Sequence, residues 1–331
     1  MGVPRDLDLI DRRLLNIIQS RFPLEEEPFK AMGEELGIPS EEVRERIGRL
    51  KRRNIVRQVS AIFDTRRLGY QTVLVAMSFP SERLHKGALL INRHPGVSHN
   101  YAREGHPFNL WFTLAVPPGQ SLEATVEEMA RQGGATAYRL LPTVRFFKIG
   151  VNFDMLSEEG AAYSYNPDNP HWNKVEPLTD LEVRAVRELQ EDLPLVERPF
   201  DGMAGRLGLT TPGLLGLARD FQQRGVMRRF SAVLHHRKAG FQANAMSVWR
   251  VPPGRAEEVG RLLAASKWVS HCYQRPTFPD WPYTHFAMLH ATSQEKCQEV
   301  ARDLSSQTGI TDYLLLFSSR EYKKTRVRYF Q

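Results

Sequence analysis

Cysteine is nearly missing from this chain: Cys272 and Cys297 are the two present, with no Cys-x-x-Cys spacing and no second cluster. Neither a disulfide framework nor a structural zinc site is supported. Long hydrophobic runs are also missing, so no membrane partner is expected. No secretory leader is recognisable, and the expected compartment is the cytoplasm. Acidic residues are outnumbered, 38 Asp and Glu against 45 Lys and Arg, which leaves a net charge of +7 and a pI near 9.5. That balance favours an anionic partner: nucleic acid, phosphate or a polycarboxylate. With 331 residues, 41% of them apolar, the chain can bury the cores of two or more domains.

What the chain has is a repeat. Pro28-Phe29, Glu35-Leu36-Gly37 and Ile55-Val56-Arg57-Gln58-Val59-Ser60-Ala61 match Pro199-Phe200, Arg206-Leu207-Gly208 and Val226-Met227-Arg228-Arg229-Phe230-Ser231-Ala232. One constant offset of 171, from Phe29 to Phe200, aligns all three. Farther along, Ser98-His99-Asn100-Tyr101-Ala102-Arg103 matches Ser270-His271-Cys272-Tyr273-Gln274-Arg275, so Ser-His-x-Tyr-x-Arg occurs in both halves. A period this long means two tandem units rather than a solenoid.

Each unit divides again. Helical periodicity covers Asp8 to Gln19, Pro28 to Glu35 and Ser40 to Arg53, with Ser40 as the expected N-cap and Val43, Ile47 and Leu50 as the buried face of the third helix. That pattern is a helix-turn-helix. Alternation then predicts strands at 56–63, 72–79, 97–101, 110–116 and 144–151, with helices at 84–93 and 122–132. The expected fold is α+β, a tandem duplication of a winged helix-turn-helix plus a ferredoxin-like sandwich. The boundaries are 1–55 and 178–226 for the helix-turn-helix units and 56–153 and 227–331 for the ferredoxin-like domains. Between them lies a Pro- and Asn-rich linker, 154–177, whose Tyr163, Tyr165, His171 and Trp172 suit a segment lying against a domain surface. The two sheets are expected to pack together through strands such as Leu110 to Val116 and His285 to His290.

A winged helix-turn-helix followed by a small ferredoxin-like domain resembles the Lrp/AsnC group. Within that group, the string from His99 to Thr113, HNYAREGHPFNLWFT, resembles the siroheme decarboxylases. So do Phe230 to Phe241, Cys272 to Pro276 and Trp281-Pro282-Tyr283. The resemblance covers almost the whole chain, one subunit type per half, as in a fusion of two paralogous subunits. It implies an enzyme, a carboxy-lyase that removes CO2 from two acetate arms of siroheme to give 12,18-didecarboxysiroheme, in heme d1 or alternative heme biosynthesis. No external cofactor is expected, because the siroheme iron belongs to the substrate and the conjugated ring is its own electron sink. A homo-oligomer, such as a dimer of fused chains, is the expected assembly. The alternatives are an Lrp/AsnC-type regulator with a small-molecule effector and a non-catalytic haem sensor.

Such chemistry sorts the candidate residues. Buried carboxylates need cationic partners, and guanidinium forks suit them best. Arg103 and Arg275 therefore stand as substrate-binding candidates, with Arg237, Trp281 and Tyr283 beside them. Loss of CO2 leaves electron density that an acid must quench, which makes His99, Tyr101, His106, His271 and Tyr273 the catalytic candidates. Even spacing places His99, Tyr101 and Arg103 on one face of a regular strand. His106 has Trp281 as its apparent counterpart, so its role is asymmetric. His235 and His236 are candidate axial ligands to the substrate iron, confined to the second half because the first has Asp64-Thr65-Arg66 there. His285 and His290 read as core-edge histidines.

Specific DNA binding is not expected. The first turn of the reading helix holds Glu41 and Glu42, which repel phosphate, and its counterpart opens Thr211-Pro212-Gly213 with no base before Arg219.

Overall fold

The computed structural model describes residues 7–148, 174–234 and 243–331. Helix α1 (Leu9–Ser20) starts where Asp8 accepts a hydrogen bond from Asp11 N, and it buries Leu14, Leu15 and Ile18. Helix α2 (Pro28–Leu36) places Pro28 in its first turn, where no amide partner is needed, and ends at Gly37 with φ 72°. Helix α3 (Ser40–Arg52) buries Val43, Ile47 and Leu50 as expected. Its N-cap, however, is Pro39, because that residue is already extended at ψ 149°; Ser40 is the first helical residue and caps nothing.

In the second unit, α6 (Asp180–Leu189) opens on a reciprocal Thr179–Glu182 capping box. Helices α7 (Asp201–Leu207) and α8 (Thr211–Gln223) complete the second helix-turn-helix. Strand β1 (Val56–Phe63) pairs antiparallel with β7 (Met227–Leu234), Ser60 opposite Ser231, in a two-stranded sheet of its own. The two helix-turn-helix units therefore share one core, in which Leu14, Phe29 and Ile47 join Phe200, Phe221 and Phe230.

The remaining elements of the first half are β2 (Gln71–Ser78), α4 (Ser81–Ile91), β3 (Val97–Arg103), β4 (Leu110–Val116), α5 (Leu122–Gly133), β5 (Ala137–Leu141) and β6 (Arg145–Lys148). Those of the second are β8 (Ala243–Trp249), α9 (Ala256–Ala265), β9 (Val269–Gln274), β10 (His285–Ala291), α10 (Gln294–Thr308) and β11 (Tyr313–Lys324). Among the described residues, nine strands form one sheet ordered β5-β2-β4-β3-β11-β8-β10-β9-β6. The sequence β5-β2-β4-β3 is ferredoxin-like, and β11-β8-β10-β9 repeats it.

The halves exchange strands. The first residues of β11 pair with β8, Tyr313 opposite Trp249, and its last pair with β3, Lys324 opposite His99. Strand β6 likewise leaves the first half to pair with β9. The expected two sheets are one continuous sheet, yet the apolar strands expected to meet do so: Trp111 of β4 and Phe286 of β10 share an apolar layer with Ala76, Leu141, Met246 and Leu316. Strand β5 escaped the sequence reading because four of its five residues are half-buried, which erases the alternation. Most of the linker, 154–173, lies outside the described residues. Its end docks on the first half, where Glu176 N donates to Arg67 O at 2.9 Å and the Glu176 carboxylate pairs with the Arg67 guanidinium at 2.9 Å.

Candidate active site

Strands β3 and β9 carry the repeated motif, and each presents a histidine, tyrosine and arginine as a ladder on one face. The His99 ring stacks on Tyr101 at 6.4 Å and 26°, and the Arg103 guanidinium lies 5.4 Å from the Tyr101 centroid. The second ladder repeats this: His271 stacks on Tyr273 at 6.1 Å and 26°, with Arg275 at 4.9 Å from Tyr273. Each arginine reaches a strand of the other half, Arg103 to β11 and Arg275 to the end of β5. Arg103 Nη1 donates to Leu316 O at 2.8 Å, and Arg275 Nη1 donates to Leu141 O. Among the described residues, their buried Nε atoms have no hydrogen-bond partner. Burial, only slightly offset by the adjacent tyrosine, pulls both guanidinium pKa values down to about 10, so both stay charged at neutral pH.

A cavity of about 270 Å³ opens between the halves. From the first half it takes Asp64, Thr65, Arg66, Ser98 and His99; from the second, Arg228, Tyr273 and Arg275. Asp64 is fully buried and shared by two guanidinium groups, Arg66 at 3.1 Å and Arg228 at 2.9 Å. Burial alone would raise the Asp64 pKa, but the two arginines more than compensate and hold it below the usual carboxylate range. Three cations against one carboxylate leave the lining net positive, which suits a substrate ringed by carboxylates. A second cavity, about 490 Å³, shares Thr65, Ser98, His99 and Val327 with the first and adds Arg326. His99 thus stands in the wall common to both.

The sequence placed Tyr101 and Arg103 with His99 at the site. The structure crosses the ladders instead: His99 of the first half faces the cavity with Tyr273 and Arg275 of the second, while Tyr101 and Arg103 do not line it. Strand exchange is the cause, since it turns the start of one ladder toward the end of the other. His271 lies behind this wall, its Nδ1 2.9 Å from Ser270 Oγ. His106 is also apart from the cavity: it stacks on Phe108 at 5.4 Å and meets Trp281 edge-on at 4.8 Å. Trp281, expected to bind substrate, is fully buried in the layer between the sheets, and Tyr283 packs 5.2 Å from it. Their apolar faces join the layer that strands of both halves share. His235, His236 and Arg237 lie outside the described residues.

His99 is tied to a short run of hydroxyls. Its Nδ1 is 3.1 Å from Ser98 Oγ, itself 2.7 Å from Thr113 Oγ1. Burial, then the nearby charges of Lys324, His271 and Arg57, pull its pKa down to about 4, so the empty site holds a neutral imidazole. His285 is a satisfied core histidine, as expected, with Nε2 2.8 Å from Ala256 O. His290 is half-buried at the core edge, also as expected, and its Nε2 lies 2.8 Å from the hydroxyl of Ser270, on the ladder strand. The sequence reading also passed over Arg66 and Arg228. The signal for Arg228 was there, since it repeats Arg57, but the β1–β7 pairing that brings it to Asp64 was not.

The chain matches two families, each twice. An AsnC-like ligand binding domain covers residues 67–148 and 238–323, and a siroheme decarboxylase NirDL-like HTH domain covers 11–57 and 182–228. A siroheme decarboxylase from Hydrogenobacter thermophilus is 45% identical over 96% of this chain and 94% of its own length. A beta subunit of siroheme decarboxylase from Methanosarcina barkeri is 44% identical and spans 44% of this chain but 97% of itself, one half of the repeat. A crystal structure of the siroheme decarboxylase NirDL with an iron-uroporphyrin III analogue superposes with a TM-score of 0.76 at 40% identity, covering 97% of this chain and 95% of that one. Duplicated domains, the paired ladders and similarity along nearly the full length together place this chain in the siroheme decarboxylase family.

Proposed function

We propose that this chain binds siroheme at the His99–Tyr273–Arg275 cavity and removes CO2 from two of its acetate arms, giving 12,18-didecarboxysiroheme. The observation that carries the reading is the cavity lining: Arg66, Arg228 and Arg275 against the single carboxylate of Asp64, with an imidazole in the wall. Arg275 supports it most, because its buried Nε has no partner among the described residues and a substrate carboxylate would supply one.

In each round the bond between the methylene and carboxyl carbons breaks and CO2 leaves. The electron pair stays on the methylene carbon, where the conjugated ring spreads it. A proton from His99 then forms the new C–H bond, leaving a methyl group. The neutral imidazole of the empty site becomes a competent acid on binding, because incoming carboxylates favour the imidazolium and raise its pKa. Tyr273, buried beside Arg275, stays protonated: burial raises its pKa, against the smaller opposing pull of Arg275 and Arg228. It acts as a neutral hydrogen-bond donor that orients a carboxylate.

The test is anaerobic incubation of the purified protein with siroheme, followed by CO2 release and the mass of the tetrapyrrole. Loss of two CO2 is expected. An unchanged mass with tight binding would favour a haem sensor, and no binding would favour a regulator.

A further inference from the structure

The cavity that holds His99, Tyr273 and Arg275 is too small for a whole tetrapyrrole. Its volume, about 270 Å³, lies below the roughly 300–1,000 Å³ taken by drug-sized ligands, and siroheme is larger than those. The second cavity, about 490 Å³, adjoins it across a wall of Thr65, Ser98, His99 and Val327. The end of the chain builds much of this second space. After β11, Thr325 N donates to Ser98 O at 2.7 Å, Tyr329 Oη lies 2.6 Å from Thr65 Oγ1, and Phe330 N donates to Tyr70 Oη at 2.7 Å. Gln190, just past α6, accepts from Tyr329 N at 2.8 Å and donates to Tyr329 O at 3.0 Å. These anchors fix Arg326 and Val327 in the cavity wall.

Charge singles out Arg326. Glu191 and Asp192 also line the second cavity, but Glu191 pairs with Arg328, and Asp192 pairs with Lys51 at 2.7 Å. Arg326 has no carboxylate partner among the described residues. Its Nη1 donates to Ser60 Oγ at 2.8 Å, an oxygen that also accepts from Gln58 Nε2 at 2.7 Å, and the rest of its guanidinium fork has no hydrogen bond among the described residues. Burial, and after it the charges of Arg229 and Arg57, pull its pKa down to about 10 against the opposing pull of Tyr329, so it is charged at neutral pH. A half-buried fork without an acid, beside the site of a polycarboxylate, is fitted to receive one of its arms.

We propose that Arg326, carried in by the C-terminal tail, binds a carboxylate arm of siroheme that the reaction does not remove, so that the macrocycle spans both cavities with His99 between them. Siroheme bears acetate and propionate arms beyond the two acetates it loses. Tyr273 and Arg275, which the siroheme reading gives to a reacting arm, line the first cavity and not the second, so the arm at Arg326 lies away from them. A retained carboxylate keeps its cation paired through both rounds. The inference rests on the siroheme reading above and adds one residue and one arm to it.

The test is anaerobic absorbance titration with siroheme and with the didecarboxylated product made by the wild type. Arg326→Gln should raise the Kd for siroheme about tenfold to a hundredfold, the loss of one charge-assisted carboxylate contact. The Kd for the product should rise by the same factor to within about twofold, because the arm that Arg326 holds is present in both. Arg326→Lys keeps the charge without the fork, and should bind at least about threefold more tightly than the Gln variant. The proposal is overturned by a Gln variant whose siroheme Kd stays within about threefold of wild type, or by a product Kd that does not follow the siroheme Kd. A Lys variant no tighter than the Gln variant also overturns it, since the loss would then be one of packing. Should Arg326→Gln fail to fold, phenylglyoxal labelling of the wild type decides: the product should shield the peptide that carries Arg326, and unchanged labelling overturns the proposal. A wild type that releases no CO2 from siroheme defeats the underlying function instead, before any variant is compared.

Discussion

Replacing Arg275 with methionine should weaken substrate binding while leaving the empty protein at least as stable. The guanidinium is buried, its Nε has no partner among the described residues, and burial brings its pKa down to about 10. That depression corresponds to roughly 3 kcal/mol of charge desolvation that the protein itself does not return. A substrate carboxylate pairing with Arg275 recovers most of it. At about 1.4 kcal/mol per tenfold, Arg275→Met should raise the Kd for siroheme about a hundredfold. In the empty protein the same change removes the desolvation cost. It also loses the hydrogen bond to Leu141 O and the contact over Tyr273, each worth about 1 kcal/mol, so the net is neutral to about 1 kcal/mol stabilising. Arg103→Met is the comparison, since Arg103 has the same buried surroundings but does not line the cavity: its empty-state stability should respond in the same way and its affinity should not. Anaerobic absorbance titration gives the Kd, and urea denaturation without ligand gives the stability. A Kd within about threefold of wild type, or an empty protein destabilised by more than about 2 kcal/mol, would refute the reasoning.

Three further outcomes are expected. His99 and His271 are held down to about 4 and His290 to about 3, in each case chiefly by burial and then by neighbouring positive charge, so the fold keeps all three neutral. The unfolded chain takes up protons from about 6.5 downward while the folded chain does not, so stability is full above that pH and falls toward pH 4; a urea midpoint that is flat from about pH 7.5 to 5 would contradict this. Duplex DNA should bind only weakly and lose its hold with salt: in α3, Arg46 is committed to Asp8, Asp11 and Glu42, Arg49 to Asp11 and Lys51 to Asp192, while Glu41 and Glu42 occupy its first turn, and a sequence-specific mobility shift at physiological salt would overturn the expectation. His106→Ala should change siroheme turnover by less than about threefold, because His106 packs on Phe108 and Trp281 away from the cavity; a large loss of rate with unchanged affinity would restore it as a proton donor.

Local periodicity made most elements legible. Strands 56–63 and 110–116 occupy the residues that alternation assigns, and the even spacing of His99, Tyr101 and Arg103 does put them on one face. Position along the chain could not reveal which strands change partners. Nothing local in Arg145 to Lys148 announces that it pairs with β9, and nothing in the length of β11 says that its end binds β3. The cavity between the halves groups His99 with Tyr273 and Arg275, a grouping that spacing along one strand could not show. Trp281 shows a related limit: an aromatic beside a site motif and an aromatic in an apolar layer shared by strands of both halves look alike in sequence, and the structure puts Trp281 in that layer.

The strand exchange also explains why the two halves need each other. A ferredoxin-like sheet standing alone ends in open edges with unpaired amides and carbonyls, which are prone to pairing with other chains. Here β11 covers the edge at β3, and β6 covers the edge at β9. Each half also supplies the carbonyl that holds the other's arginine, Leu316 of β11 for Arg103 and Leu141 of β5 for Arg275. A buried cation needs a rigid acceptor if it is to await a substrate anion rather than turn to solvent, and a backbone carbonyl fixed in an interlocked strand is one. Duplication made two such arginine posts. Asp64 and Arg66 stand where the second half has His235 and Arg237, so the surroundings of the two posts have diverged in charge. The cavity between the halves draws its imidazole from one ladder and its arginine from the other, a combination that neither half could assemble alone.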